Sequence, residues 1–200
     1  ALSNTTIANP TFTADVKGIY ELQLTVSDGT ATSTDNVLIT VNGTSPTPTP
    51  GMMHGEGWLD QRGNRNLYEF QVREKATGAD RGHLLFSVRP IRPGRDDGWD
   101  DVTGRADRFV STRLTDVVFY DMPGVKPGGR ATMDTVVFKG IGQWNGADGY
   151  AFTATATDAG EPGRGRDWFA ITITAPNGTP VVSVSGTINR GNNQSNRVKR

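Results

Sequence analysis

Residues 150–174, YAFTATATDAGEPGRGRDWFAITIT, leave this chain little choice of fold. Phe152, Ala154 and Ala156, led by Tyr150, alternate with Thr153, Thr155 and Thr157. Phe169, Ile171 and Ile173 alternate with Ala170, Thr172 and Thr174 in the same way. A period of two puts the apolar set on one side of a pleated strand and the threonines on the other. Between the two runs, residues 159–166 hold three glycines and a proline, which interrupt a ladder and let the chain reverse. The pattern predicts a β-hairpin with one buried face, and therefore further strands for that face to pack on. The 25 glycines, many threonines and lack of helical periodicity extend the expectation to an all-β chain.

Further strand patterns run from residue 52 to 193. Residues 55–60 (GEGWLD) read as a short strand, and residues 66–74 (NLYEFQVRE) put Tyr68, Phe70 and Val72 on one face. Residues 83–89 follow as a third, and 90–107 read as a long polar loop. Residues 108–120 and 130–142 then pair around the turn 121–129. After the 150–174 hairpin, Asn177–Gly178 marks a turn before a closing strand over 180–189. About eight or nine antiparallel strands suffice for an antiparallel β-sandwich of two sheets. The order G-x-G-W (55–58), G-H-L-x-F (82–86), G-x-G-x-W-N-G-x-x-G-Y-x-F (140–152), D-x-G-E-P-G (158–163) and G-x-I-x-x-G-N-x-Q (186–194) is distinctive. It resembles the domain that follows choice-of-anchor modules in secreted bacterial proteins. That resemblance implies an extracellular, non-catalytic accessory module.

Residues 1–43 read differently. Residues 10–15 and 18–28 form two strand patterns, Asp28–Gly29 a turn, and 36–42 a third strand. The run 11–42 carries G-x-Y-x-L-x-L-x-V-x-D-G and resembles the C-terminal half of a polycystic-kidney-disease (PKD) repeat, an immunoglobulin-like sandwich. The family's first half has no counterpart here, so an incomplete three-strand, Ig-like segment is expected. Three strands over some 40 residues bury too little surface to stand alone. Truncation is one explanation; completion by a strand from a neighbouring molecule is the other. In the second case Phe12, Tyr20, Leu22, Leu24, Val37, Ile39 and Val41 form the assembly edge. TSPTPTPG (44–51) favours an extended, semi-rigid spacer. The sequence thus divides into 1–43, a linker 44–51, a sandwich domain 52–193 and a basic tail 194–200.

Composition excludes several functions. Lys+Arg and Asp+Glu balance at 21 each, which offers no field for nucleic acid or an anionic membrane. No apolar run reaches the roughly 20 residues of a membrane span. Without cysteine there is no thiol chemistry or disulfide framework. His54 and His83 are the only histidines, and no G-x-S-x-G elbow accompanies them. No enzymatic activity is expected. Sequons at Asn4, Asn42, Asn177 and Asn193 are candidate glycan acceptors.

Two ligand chemistries have candidate residues. Hard oxygen donors suit Ca²⁺, and two acidic groups qualify: Asp96, Asp97, Asp100 and Asp101 in the long loop, and Asp158, Glu161 and Asp167 in the hairpin turn. Arginines interleave both, and neither matches a known calcium-loop spacing, so solvated loops are the competing reading. Trp99 and Trp144 fall in loop-like contexts where an exposed ring would stack on a sugar, or else cap an end of the sandwich. The function expected is a non-catalytic extracellular structural or adhesive surface protein. Its sharper form self-assembles into filaments by inter-subunit β-strand complementation, with a second copy or a neighbouring surface protein as partner. The alternative is a carbohydrate-binding accessory module of a larger secreted enzyme, with a polysaccharide as partner.

Overall fold

In the computed structural model of this chain, eleven strands follow one another with no helix among the described residues, which are 10–12, 18–41, 50–75, 80–91, 106–122, 124–128, 131 and 133–196. They divide into two compact units, Ala1–Pro46 and Thr47–Arg200.

In the first unit β1 (Gly18–Ser27) and β2 (Thr32–Val41) pair antiparallel with Tyr20 opposite Ile39 and Leu22 opposite Val37. The turn is set locally: the Thr30 and Ala31 N–H groups donate to Asp28 Oδ1 at 2.8 and 2.7 Å, and Gly29 takes a φ of 89°. The first of the three expected strands is represented by Phe12, a single bridge position whose ring meets Tyr20 edge-on at 4.8 Å. Residues 13–17 lie outside the described residues.

The second unit holds β3 (Gly51–Gln61), β4 (Asn64–Glu74), β5 (Arg81–Pro90), β6 (Asp107–Tyr120), β7 (Thr135–Trp144), β8 (Ala147–Thr157), β9 (Trp168–Thr174), β10 (Pro180–Thr187) and β11 (Arg190–Asn196). They form one antiparallel sheet in the order β10-β9-β8-β7-β6-β5-β4-β3-β11. β5 pairs with β6 only from Leu85 to Val88, so the sheet folds over there. Consecutive strands β10 and β11 lie at opposite ends of the order, so the chain crosses from one layer to the other within two residues.

The 150–174 hairpin is β8 and β9, in the register Phe152–Ile173, Ala154–Ile171 and Ala156–Phe169. All six of these side chains are buried, as alternation requires. Facing them are Tyr68, Phe70 and Val72 of β4, with Leu84 and Phe86 of β5. The layers interlock through rings: Tyr68 lies 3.8 Å from Phe169 and Phe70 lies 5.1 Å from Phe138.

Two strands depart from expectation. The short strand 55–60 is an eleven-residue strand, and part of the basic tail is β11, which pairs with β3 from Arg190–Trp58 to Asn196–Met52. The reasons are linked. β11 (RGNNQSN) has no apolar periodicity because its buried side chains, Asn193 and Ser195, are polar. β3 is glycine-rich because space beside it is already taken. A Cβ on Gly55 would sit 2.3 Å from Asn193 Oδ1 and 2.5 Å from the Phe70 ring.

Candidate functional site

The turn joining β8 to β9 brings Asp158, Glu161 and Asp167 together with β11. Asp158 and Asp167 are fully buried, one just after β8 and the other just before β9. Asp158 Oδ1 accepts the Gly128 and Gly160 N–H groups, each at 3.0 Å, and its Oδ2 accepts Ser195 N–H at 2.9 Å. Asp167 Oδ1 accepts Ala159 N–H at 2.8 Å and its Oδ2 accepts Asn193 N–H at 2.6 Å. Both carboxylates are thus occupied by backbone donors. Glu161 is exposed, follows the same turn and accepts Asn192 Nδ2–H at 3.0 Å; its peptide bond to Pro162 is cis.

Asn193 completes the arrangement. Its amide donates to the carbonyls of Thr157 and Trp168 at 3.2 and 2.9 Å, and its Oδ1 accepts the Tyr68 hydroxyl at 2.9 Å. Ser195 Oγ donates to the Met133 carbonyl. β11 is therefore paired to β3 along one edge and, along the other, held by carboxylates where a further strand would be. Its N–H groups lose water and gain charge-assisted partners.

A third buried acid, Asp134, extends this pattern: Met122 N–H donates to it at 3.0 Å and Thr135 Oγ1–H at 2.6 Å. The other seam, where β5 leaves β6, is closed likewise. Val117 N–H donates to Asp80 and Phe119 N–H to Glu74, each at 3.0 Å.

Burial sets the electrostatics. Desolvation pushes the Asp167 carboxyl up to about 6 against the N–H bonds from Asn193 and Ala159, with the charges of Asp158 and Glu161 adding to the rise. Asp134 is likewise pushed up to about 6 by desolvation, opposed by its Thr135 and Met122 bonds and reinforced by the neighbouring Asp121 carboxyl. Desolvation also raises the Tyr68 phenol well above its usual range, and the Asp167 charge adds to it.

The remaining candidates separate. Asp96, Asp97, Asp100, Asp101 and Trp99 lie outside the described residues. Among the described residues, no group of three or more His, Cys, Asp or Glu side chains is placed to hold a metal ion. Trp144 ends β7 and packs, partly buried, against the core. Trp58 is buried, with the Arg65 and Arg190 guanidinium groups 4.7 and 5.5 Å from its ring. Of the described tryptophans the most exposed is Trp168, at 36 %, on the outer side of β9. Of the sequons, Asn193 is buried with its amide fully engaged, and Asn177 is exposed in the turn before β10; Asn4 and Asn42 lie outside the described residues.

Apart from Phe12, which precedes β1, the assembly residues fall on the β1–β2 hairpin. Phe12, Tyr20, Leu22 and Ile39 are half-buried, whereas Leu24 is 61 % and Val37 53 % exposed, with Val26 beside them at 57 %. Tyr20, Leu22, Leu24 and Val26 share one face of β1 with Val37 and Ile39 of β2. The side chain of Val41 lies outside the described residues.

Among the described residues no helix is long and apolar enough to cross a membrane. The outer face of β3–β5 carries a shallow cavity of about 240 Å³ lined by Glu56, Leu67, Glu69, Leu85, Ser87 and Arg108. Glu56 and Glu69 stand directly opposite each other in the register of β3 and β4. Comparison with family models, with curated proteins and with solved structures finds no match to this chain. The two family resemblances therefore stand on their motifs alone.

Proposed function

We propose that this chain is a non-catalytic structural protein of the cell surface, which associates with neighbouring copies by completing the β1–β2 sheet in trans. The observation that carries this reading is the hairpin's apolar face. Leu24, Val26 and Val37 are 61, 57 and 53 % exposed on a single two-stranded sheet. A two-stranded sheet is marginal alone, and fully burying a valine or leucine is worth roughly 1.5–3 kcal/mol. A partner strand laid beside the hairpin would extend the sheet and satisfy an open edge, and face-to-face packing of two such sheets would cover Leu24, Val26 and Val37.

The sandwich suits a supporting role. Its buried carboxylates are engaged with backbone N–H groups, which leaves them as ties between strands rather than as acids or bases poised for a substrate. An extracellular setting belongs to the same proposal and draws on the motif resemblances.

Hydrogen exchange of the intact chain tests it. Amides of residues 18–41 should exchange quickly in dilute protein and become protected as concentration rises. Equal, fast exchange at every concentration would overturn the reading.

A further inference from the structure

The two ends of the nine-stranded sheet are treated differently. At β11 the outward N–H groups of Asn193 and Ser195 are taken up by Asp167 and Asp158. Among the described residues, no backbone group of β10 makes a hydrogen bond beyond the ladder to β9. The strand reads PVVSVSGT, with no charged residue to repel another edge. Pro180 and the bulge at Val181 block its first two positions, leaving residues 182–187 in unbroken register with β9 and, among the described residues, with no hydrogen bond on their other edge. Exposed apolar groups flank it, Val181 at 41 % and Trp168 at 36 %, the latter opposite Thr187.

We infer that β10 is a self-association edge that pairs antiparallel with β10 of a second copy about a two-fold axis. Neighbours across an antiparallel ladder share a face, so the inner valines of the two copies stay together only when the axis passes through a residue. Centred on Val184, that pairing sets Val184 opposite its counterpart, Ser183 opposite Ser185 and Val182 opposite Gly186. Apolar meets apolar, hydroxyl meets hydroxyl, and no like charges oppose. A strand from another protein would not need this self-complementarity. β1 and β2 each carry an acid, Glu21 and Asp35, that β10 has no cation to meet.

The inference deepens the proposed function, on which its consequence for assembly rests. One isologous contact makes a closed dimer. Two different contacts on the same chain, one at β10 and one at the β1–β2 hairpin, join copies into an open polymer.

The test uses the full chain in five forms, followed by solution mass and negative-stain imaging. Wild type should form filaments. Ser183→Lys with Ser185→Lys places lysine against lysine in the β10 pairing, and should stop assembly at a dimer joined through the hairpin. Leu24→Lys with Val37→Lys should stop it at a dimer joined through β10. The quadruple variant should be a monomer of 21.5 kDa. Ser183→Glu with Ser185→Lys sets opposite charges against each other in the two-fold register and should restore filaments, which misfolding would not allow. Filaments unchanged in the lysine pair at β10, or a monomer when only the hairpin is blocked, overturns the β10 inference. A dimer in both wild type and the hairpin variant, with the β10 lysine pair monomeric, instead overturns the hairpin reading and leaves β10 standing.

Discussion

Tyr68 and Phe169 stack across the sandwich with ring centroids 3.8 Å apart and planes 5° from parallel, while the Tyr68 hydroxyl donates to Asn193 Oδ1 at 2.9 Å. One side chain thus joins the hydrophobic contact between the layers to the polar seam that closes them. The two roles are separable. Tyr68→Phe keeps the stack but strands Asn193 Oδ1, and should cost about 1–3 kcal/mol in denaturant unfolding. Phe169→Ala removes the buried ring and should cost about 3–5 kcal/mol.

Asp167→Asn keeps the shape but turns one acceptor oxygen into a donor that faces an N–H group. Unfolding stability should fall by about 1–3 kcal/mol, and amide exchange at Asn193 should accelerate more than exchange elsewhere in β11. Because the Asp158 and Asp167 oxygens are already occupied, millimolar calcium should leave amide exchange at Asn193 and Ser195 unchanged.

The buried acids fix a pH dependence. Asp134 and Asp167 titrate at about 6 in the folded protein, against an ordinary carboxyl value of 3.8. The unfolded chain thus gives up these two protons at lower pH than the folded one. Their contribution to stability is complete below about pH 4 and is lost as pH rises through 6. After allowance for solvent screening, the pair should make the protein about 2–3 kcal/mol less stable at pH 8 than these groups allow at pH 4. Thermal unfolding of wild type against Asp134→Asn, across that range, should show the variant's pH profile flatter.

Glu56 and Glu69 oppose each other on the outer face, and like charges directly across a ladder are destabilising by roughly 0.2–1 kcal/mol. Glu69→Lys should raise the unfolding midpoint, and added salt should narrow its advantage over wild type.

Gly55→Ala should destabilise as strongly as a core mutation, although alanine is a better strand residue than glycine. Its methyl group would meet Asn193 Oδ1 at 2.3 Å and the Phe70 ring at 2.5 Å. Combining Gly55→Ala with Asn193→Gly should not rescue it, since Phe70 still crowds the site and the Asn193 hydrogen bonds to Tyr68, Thr157 and Trp168 are lost.

Strands whose buried side chains are apolar were legible. Phe152, Ala154 and Ala156 against Phe169, Ile171 and Ile173 write a period of two that only a half-buried sheet explains. β11 was not legible, because Asn193 and Ser195 are buried through hydrogen bonds and hydrogen bonding leaves no hydrophobic period. The same blindness affects Asp158 and Asp167. Acidic side chains in a glycine-rich turn have the composition of a cation loop, and only the direction of the Asn193 and Ser195 N–H groups shows what those oxygens hold. Asp134, Glu74 and Asp80 lacked even that signal, since their partners are backbone groups 12 to 45 residues away. The glycines of β3 look like weak strand positions until the Phe70 ring and the Asn193 side chain are seen beside them.

The most direct test of the proposed function is sedimentation velocity of the intact chain over a hundredfold range of concentration. Association in trans should give species heavier than the 21.5 kDa chain that grow with concentration, and that shrink when Leu24 and Val37 are both replaced by lysine. A single 21.5 kDa species at every concentration, identical in wild type and variant, would contradict it.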